Sequence, residues 1–238
     1  MPEHEDVYRN EADRYHALVT SEDYSGNLSR AIQSVIPDGA AVLESGAGTG
    51  RVTAILAPLA SEIACFDLSV PMLTKAEIST PPHSSGFYGY SAADHRYLPV
   101  RASRFEWIVS GWSVCYLATW NRENWQMEVN HALRELTRVI RPGGHILLIE
   151  SLGTGETIPN PPGHLIEYLN YLDKLGFQRR WIRTDYRFAD EATARDLTGF
   201  FFGESMLKNI EFSPAPTLPE CTGLWTISRA DLLENLPG

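Results

Sequence analysis

Residues 41–51, Ala-Val-Leu-Glu-Ser-Gly-Ala-Gly-Thr-Gly-Arg, constrain this chain more than any other stretch. An apolar run, Ala41 to Leu43, ends in an acid, Glu44, and passes at once into glycines at alternate positions, Gly46, Gly48 and Gly50. Val52, Ile55, Leu56 and Leu59 then recur at i, i+3, i+4 and i+7, the spacing of a helix that buries one face. The reading is strand, tight turn, helix. Glycine permits positive φ and lets a ligand approach the main chain without meeting a Cβ. The helix beyond it offers unpaired N–H groups and the positive end of its dipole to something negative.

Several nucleotide-type ligands sit on turns of this kind, and the spacing chooses among them. A dinucleotide fingerprint requires G-x-G-x-x-G, but the position of its third glycine holds Arg51. A phosphate loop fails as well, because the turn has no Lys followed by Ser or Thr. A carboxylate at the strand's end repels a pyrophosphate and attracts an ammonium group. The pattern suits a ligand with a nucleoside at one end and a cationic amino acid at the other.

Glu44-Ser45-Gly46-Ala47-Gly48-Thr49-Gly50 resembles the first motif, [D/E]-x-G-x-G-x-G, of the class I S-adenosylmethionine-dependent methyltransferases. Further matches follow in that family's order. Ile63-Ala64-Cys65-Phe66 ends in Asp67, 21 residues after Gly46, where an acid can accept both ribose hydroxyls. Leu68 to Leu73 resembles D-x-S-x-x-M-L, with Ser69 capping the next helix and Met72 beside the adenine. Ala93-Asp94 matches the acid that accepts from the adenine amino group, and Arg141-Pro142-Gly143-Gly144 matches the turn into the fifth strand.

The resemblance implies S-adenosyl-L-methionine as cofactor. It places Glu44 at the ligand's α-amino group and the Gly46–Gly48 backbone under ribose and methionine. Asp67 would hold the ribose and Asp94 the adenine amine, with Ser110 and Gly111 on the sulfonium side. Ser45, Gly50, Leu68, Met72, Ala93 and His95 complete the expected set, and Tyr15 reaches it from an amino-terminal helix. Taken singly, Asp67 reads equally as a helix cap and Asp94 as a turn residue.

Beyond the glycines, strand and helix alternate: strand 62–67, helix 69–78, strand 87–92, strand 105–110, helix 122–140, strand 145–150. Such alternation argues for a parallel sheet with helices on both faces. After Ser151 come a Gly- and Pro-rich loop, helix 164–175, a strand from Phe177 to Phe188, a helical stretch from Asp190, and a last strand from Thr222 to Ser228. The expected fold is α/β, a doubly wound Rossmann-like sheet of seven mostly parallel strands with an antiparallel last strand. An N-terminal helical lid (1–38) precedes the cofactor-binding core (39–151). Residues 152–238 form the sheet edge and a substrate cap with a helical insertion, all in one domain.

Thirty acids against twenty bases give a formal charge of −10, a field that repels a nucleic-acid backbone. No nucleic-acid partner is expected; Arg179, Arg180 and Arg183 read as a solvated strand face. The expected partner is a small-molecule methyl acceptor, bound by a monomer or homodimer. Three widely spaced cysteines read as reduced thiols, neither disulfide frame nor metal site. No apolar run approaches the ~20 residues that span a bilayer, and the acidic start is no secretory signal, so a cytoplasmic chain is expected. The alternatives are methylation of RNA or protein, and a non-catalytic cofactor-binding domain.

Methyl transfer is an in-line displacement, in which the protein mainly excludes water and aligns an acceptor. A general base is needed only for a protonated, weakly nucleophilic acceptor. The candidates are Glu150, Tyr116, His164 and, in the lid, His16. The acceptor pocket is expected between the lid, segment 151–163 and the helix before the last strand. Trp112 and Tyr116 would add aromatic walls, whereas Trp120 and Trp125 read as packing for the long helix.

Overall fold

In the computed structural model, which describes residues 4–80 and 87–237, one seven-stranded sheet carries the molecule. Its strands are β1 (Ala41–Ser45), β2 (Glu62–Asp67), β3 (Phe87–Ala92), β4 (Phe105–Gly111), β5 (Ile140–Thr154), β6 (Gln178–Arg183) and β9 (Glu220–Ser228). A two-stranded ribbon pairs β7 (Tyr186–Arg187) with β8 (Thr217–Leu218). The sheet runs β3-β2-β1-β4-β5-β9-β6. The first five strands are mutually parallel, and β9 is antiparallel to both of its neighbours. This is the expected sheet, antiparallel last strand included.

Helices fill both faces: α1 (His4–Asn10), α2 (Ala12–Thr20), α3 (Asn27–Gln33), α4 (Arg51–Leu56), α5 (Val70–Ser79), α6 (Cys115–Trp120), α7 (Trp125–Val139), α8 (Ile166–Lys174), α9 (Glu191–Phe202) and α10 (Arg229–Asn235). Successive strand residues point to opposite faces. Leu43, Ile108 and Ile146 therefore pack with α6, α7, α8 and α10, while Val42, Val109 and Leu147 pack with α3 and α4. On α7 the buried set Val129, Ala132, Leu133, Leu136 and Val139 keeps the helical period. A third, smaller core joins Leu18 of α2 to Tyr186, Phe188, Leu197 and Leu218, and so seats α2 on the carboxyl-terminal segment.

Some boundaries differ from the sequence reading. The expected strand from Phe177 to Phe188 divides at Thr184, whose carbonyl accepts from Asp23 N at 3.1 Å and whose N–H donates to Glu220 O. Residues beyond it leave the sheet for the ribbon. β5 begins at Ile140 because the Arg-Pro-Gly-Gly segment stays in the strand across a shift of register against β4. α6 and α10 are short helices without a long periodic signal, and neither was foreseen. The loop from Pro81 to Ser85 lies outside the described residues. The glycine turn, the ends of β2 and β4, and the start of α5 meet at one rim, beside the switch point between β1 and β4.

Candidate active site

At that rim the glycines do separate jobs. Gly46 adopts φ +83°, and a Cβ there would stand 2.0 Å from Ser113 Oγ and 2.3 Å from Ser113 Cβ. Gly48 adopts φ +54°, and a Cβ on it would meet nothing within 4 Å, because it opens on a cleft. Asp67, at the end of β2, accepts from Gly48 N and Ser69 N, both at 2.8 Å. Its carboxylate fixes the glycine turn and the start of α5 together, and Ser69 caps α5 by accepting from Met72 N. Burial raises the Asp67 carboxyl above its ordinary range, against backbone N–H groups that lower it.

The cleft holds about 690 Å³. Of the residues expected at the cofactor, Tyr15, Gly46, Gly48, Asp67, Leu68, Met72, Ala93, Asp94, His95 and Gly111 line it. His95 is hydrogen-bonded through Nδ1 to Ser45 Oγ (2.6 Å) and through Nε2 to Ser113 Oγ (2.9 Å). Burial pulls the imidazole down to about 4, so it is neutral at physiological pH. Asp94 differs. Burial alone would raise its carboxyl, but Arg96, which also pairs with Glu128, holds it below the ordinary range.

Glu44, Ser45, Gly50 and Ser110 do not line the cleft. Glu44 is 1% exposed, because strand alternation turns it toward α4 rather than the rim. There it accepts from Thr53 Oγ1 at 2.5 Å and from Cys65 Sγ, and burial pushes it up to about 8. In this arrangement it braces the underside of the turn, between Thr53 and Cys65. Ser45 is hydrogen-bonded to His95, Gly50 is the N-cap residue of α4 and faces Thr80, and Ser110 is buried.

A second cavity, of about 790 Å³, shares Tyr15, Trp112, Tyr116 and Trp120 with the first. Its other walls come from the lid (Leu18, Val19, Glu22), the irregular segment (Ser151 to Pro162), and Phe201, Phe202 and Met206 of the insertion. Glu150, Tyr116 and His164 line it; His16 lines neither cavity. One helical step past Tyr15, His16 turns away from both, toward Asp13 and Lys75. Trp120 stacks on Tyr116 at 4.8 Å and walls both cavities, so it does not simply pack the long helix. Trp125 does pack, against Tyr171 and the core.

Glu150, at the carboxyl end of β5, is 0% exposed and accepts from Tyr168 Oη at 2.8 Å. Burial pushes it up to about 7. Burial drives Tyr116 well above its ordinary value, and its hydroxyl is hydrogen-bonded to that of Tyr8. His164 is exposed and lowered by partial burial. Sequence reasoning missed Glu22, Glu220 and Ser113, and it set Tyr8 farther out than Tyr15, whereas Tyr8 lines the cleft. It used Arg51 only to exclude a dinucleotide, yet this side chain is ion-paired to Glu22 and lies over the Trp112 ring.

The α/β sheet, with its antiparallel last strand, carries an acid-bounded glycine turn at its switch point. Residues 43–148 match the family model of a methyltransferase domain. A malonyl-[acyl-carrier protein] O-methyltransferase from Pseudescherichia vulneris is 32% identical over 107 residues, 45% of this chain and 37% of that protein. The chain thus matches little more than a third of that relative's length. A SAM-dependent methyltransferase structure from Aquifex aeolicus has a TM-score of 0.51 at 14% identity, covering 86% of this chain and 93% of that one. The Haemonchus contortus phosphoethanolamine N-methyltransferase 1 has a TM-score of 0.55 at 16% identity, covering 96% of this chain and 50% of that one. These structures share the fold. Among the described residues, no helix is long and apolar enough to cross a membrane.

Proposed function

We propose that the protein transfers a methyl group from S-adenosylmethionine to a small molecule. The observation that carries the reading is the pair of contiguous cavities, one floored by the Gly46–Gly48 turn and Asp67, the other walled by aromatic side chains. The residues present fit an adenosyl ligand: Gly48 leaves open space where a Cβ would intrude, and Asp67 keeps lone pairs for ribose hydroxyls. Leu68 and Met72 offer apolar contact to a base, with Asp94 and His95 at its edge. When bound, the cofactor supplies a sulfonium-activated methyl group.

The chain's own contribution is alignment, exclusion of water, and one proton acceptor. Tyr15, Trp112, Tyr116 and Trp120 stand where the two cavities meet, so the methyl acceptor lies among them. Of the four candidate bases, Glu150 has both the position and the proton affinity; it would hold the acceptor's proton at the carboxyl end of β5. The amino-terminal helices act as a lid over a core of residues 39–151, and residues 152–238 complete the cap. Incubation with methyl-labelled S-adenosylmethionine and a metabolite panel tests the reading. Label should pass to at least one compound; transfer to RNA or protein instead would overturn the small-molecule assignment.

A further inference from the structure

The acceptor cavity has an unbalanced polar lining. Glu22, Glu150, Glu156 and Glu220 contribute carboxylates, whereas Arg51 is its one Lys or Arg among the described residues. Arg51 is committed to Glu22 and to the face of Trp112, so no guanidinium or ammonium of the lining is free for an anionic acceptor; His164 is the other basic side chain there, and burial and the nearby Arg122 lower it. Glu150 and Glu220 are 0% and 2% exposed. One oxygen of each is satisfied, by Tyr168 Oη at 2.8 Å and Ser151 Oγ at 2.6 Å. The other oxygen of each, Oε2, is buried with no partner in hydrogen-bond geometry, although the Cys115 thiol and N–H are near enough to influence Glu150 and the Thr154 hydroxyl Glu220. Orphaned acceptors of this kind are rare and costly, and a ligand that donates to them removes the cost.

We propose that this cavity receives a protonated amine, so that the methyl acceptor carries a basic nitrogen on an apolar or aromatic body. The proposal rests on the methyltransferase reading and names its substrate class. An ammonium supplies N–H donors to Glu150 Oε2 and Glu220 Oε2 and a counter-charge to both. Trp112, one face of which Arg51 covers, Trp120 and Phe201 line the cavity with apolar ring surface for the hydrocarbon body. A neutral alcohol of the same shape gains the hydrogen bonds without the charge. Burial, with the neighbouring Glu22 charge, pushes Glu220 up to about 8, and burial pushes Glu150 up to about 7; a bound cation favours the charged form of both.

Calorimetric titration of the full chain with phenethylamine, phenethyl alcohol and phenylacetate, with and without S-adenosylhomocysteine, tests this. The amine should bind saturably and about tenfold or more tighter than either isostere. Glu220→Gln and Glu150→Gln should each weaken the amine by about tenfold while S-adenosylhomocysteine binds unchanged, which also shows that the variants fold. Equal binding of the three probes, no amine binding up to about 10 mM, or indifference to both substitutions overturns the amine assignment. Failure of S-adenosylhomocysteine to bind the unaltered chain is a separate result and overturns the methyltransferase reading itself.

Discussion

The Arg51 guanidinium lies 3.6 Å from the centroid of the Trp112 ring, joining the first helical residue after the glycine turn to the residue just past β4. Trp112 has φ +48°, a left-handed conformation rare for a bulky side chain, and its N–H donates to Ile149 O at 2.6 Å. Arg51 is also ion-paired to the buried Glu22 of the lid segment. Breaking a buried pair from one side leaves an uncompensated charge and costs about 3–5 kcal/mol. Arg51→Met should therefore destabilise the fold by about that amount, and adding Glu22→Gln should recover most of it. Chemical denaturation of the single and double variants checks this; equal loss in both would show that Glu22 is not what Arg51 neutralises.

Gly46 and Ser113 cannot both carry a Cβ in their present places. Gly46→Ala should lower S-adenosylhomocysteine affinity by about tenfold or more and cost about 1–3 kcal/mol of stability, from φ +83° and the 2.0 Å approach. Ser113→Ala should not rescue it, because Ser113 Cβ already stands at 2.3 Å. Ser113→Gly should rescue it in part. Calorimetry and thermal melts of the three combinations read the difference, and full rescue by Ser113→Ala would contradict the packing described.

Glu44 gives a pH signature. Its carboxyl is held at about 8 when folded, against an ordinary 4.5. Between those values the folded chain keeps a proton that the unfolded chain has released, so stability falls as pH rises, by up to about 1.4 kcal/mol per unit. Glu150, Glu220 and Asp67 shift the same way, and the contrast with Glu44→Gln isolates the one residue. The variant, neutral at every pH and still able to accept from Thr53, should gain on the unaltered protein steadily from pH 5 to about 8. Melting curves that stay parallel across that range would count against a protonated Glu44.

Tyr8 ties the lid to the site. Its hydroxyl is hydrogen-bonded to that of Tyr116, its ring meets Tyr15 edge-on at 5.4 Å, and its carbonyl accepts from Ser69 Oγ at 2.7 Å. Tyr8→Phe should weaken S-adenosylhomocysteine by a few fold while changing stability by no more than about 1 kcal/mol. Amide exchange over residues 4–20 should slow on ligand binding. Exchange that ignores the ligand would remove the lid role.

The fold was legible wherever a local pattern carried it. Leu43 and Glu44 running into Gly46 read directly as strand and turn, and Asp67 and Met72 follow at their expected places because β2 and α5 are set by short-range signals. What was illegible depends on strand alternation and long-range register. Glu44 ends the right strand but faces α4, a one-residue matter of which side of the sheet it takes. Glu220 enters the acceptor cavity only because β9 pairs with β5 so that Thr154 meets Glu220. Tyr15 and His16 are neighbours in sequence, yet a helical step sends one into the cavities and the other away.

The central claim is that the Gly46–Asp67 rim holds an adenosyl ligand. Isothermal titration of the chain with S-adenosylhomocysteine tests it most directly. Binding should fall in the micromolar range, at about −8 kcal/mol, and Gly46→Arg and Asp67→Ala should each abolish it. Binding indifferent to both substitutions, or a rim that takes a nicotinamide dinucleotide in its place, would contradict it.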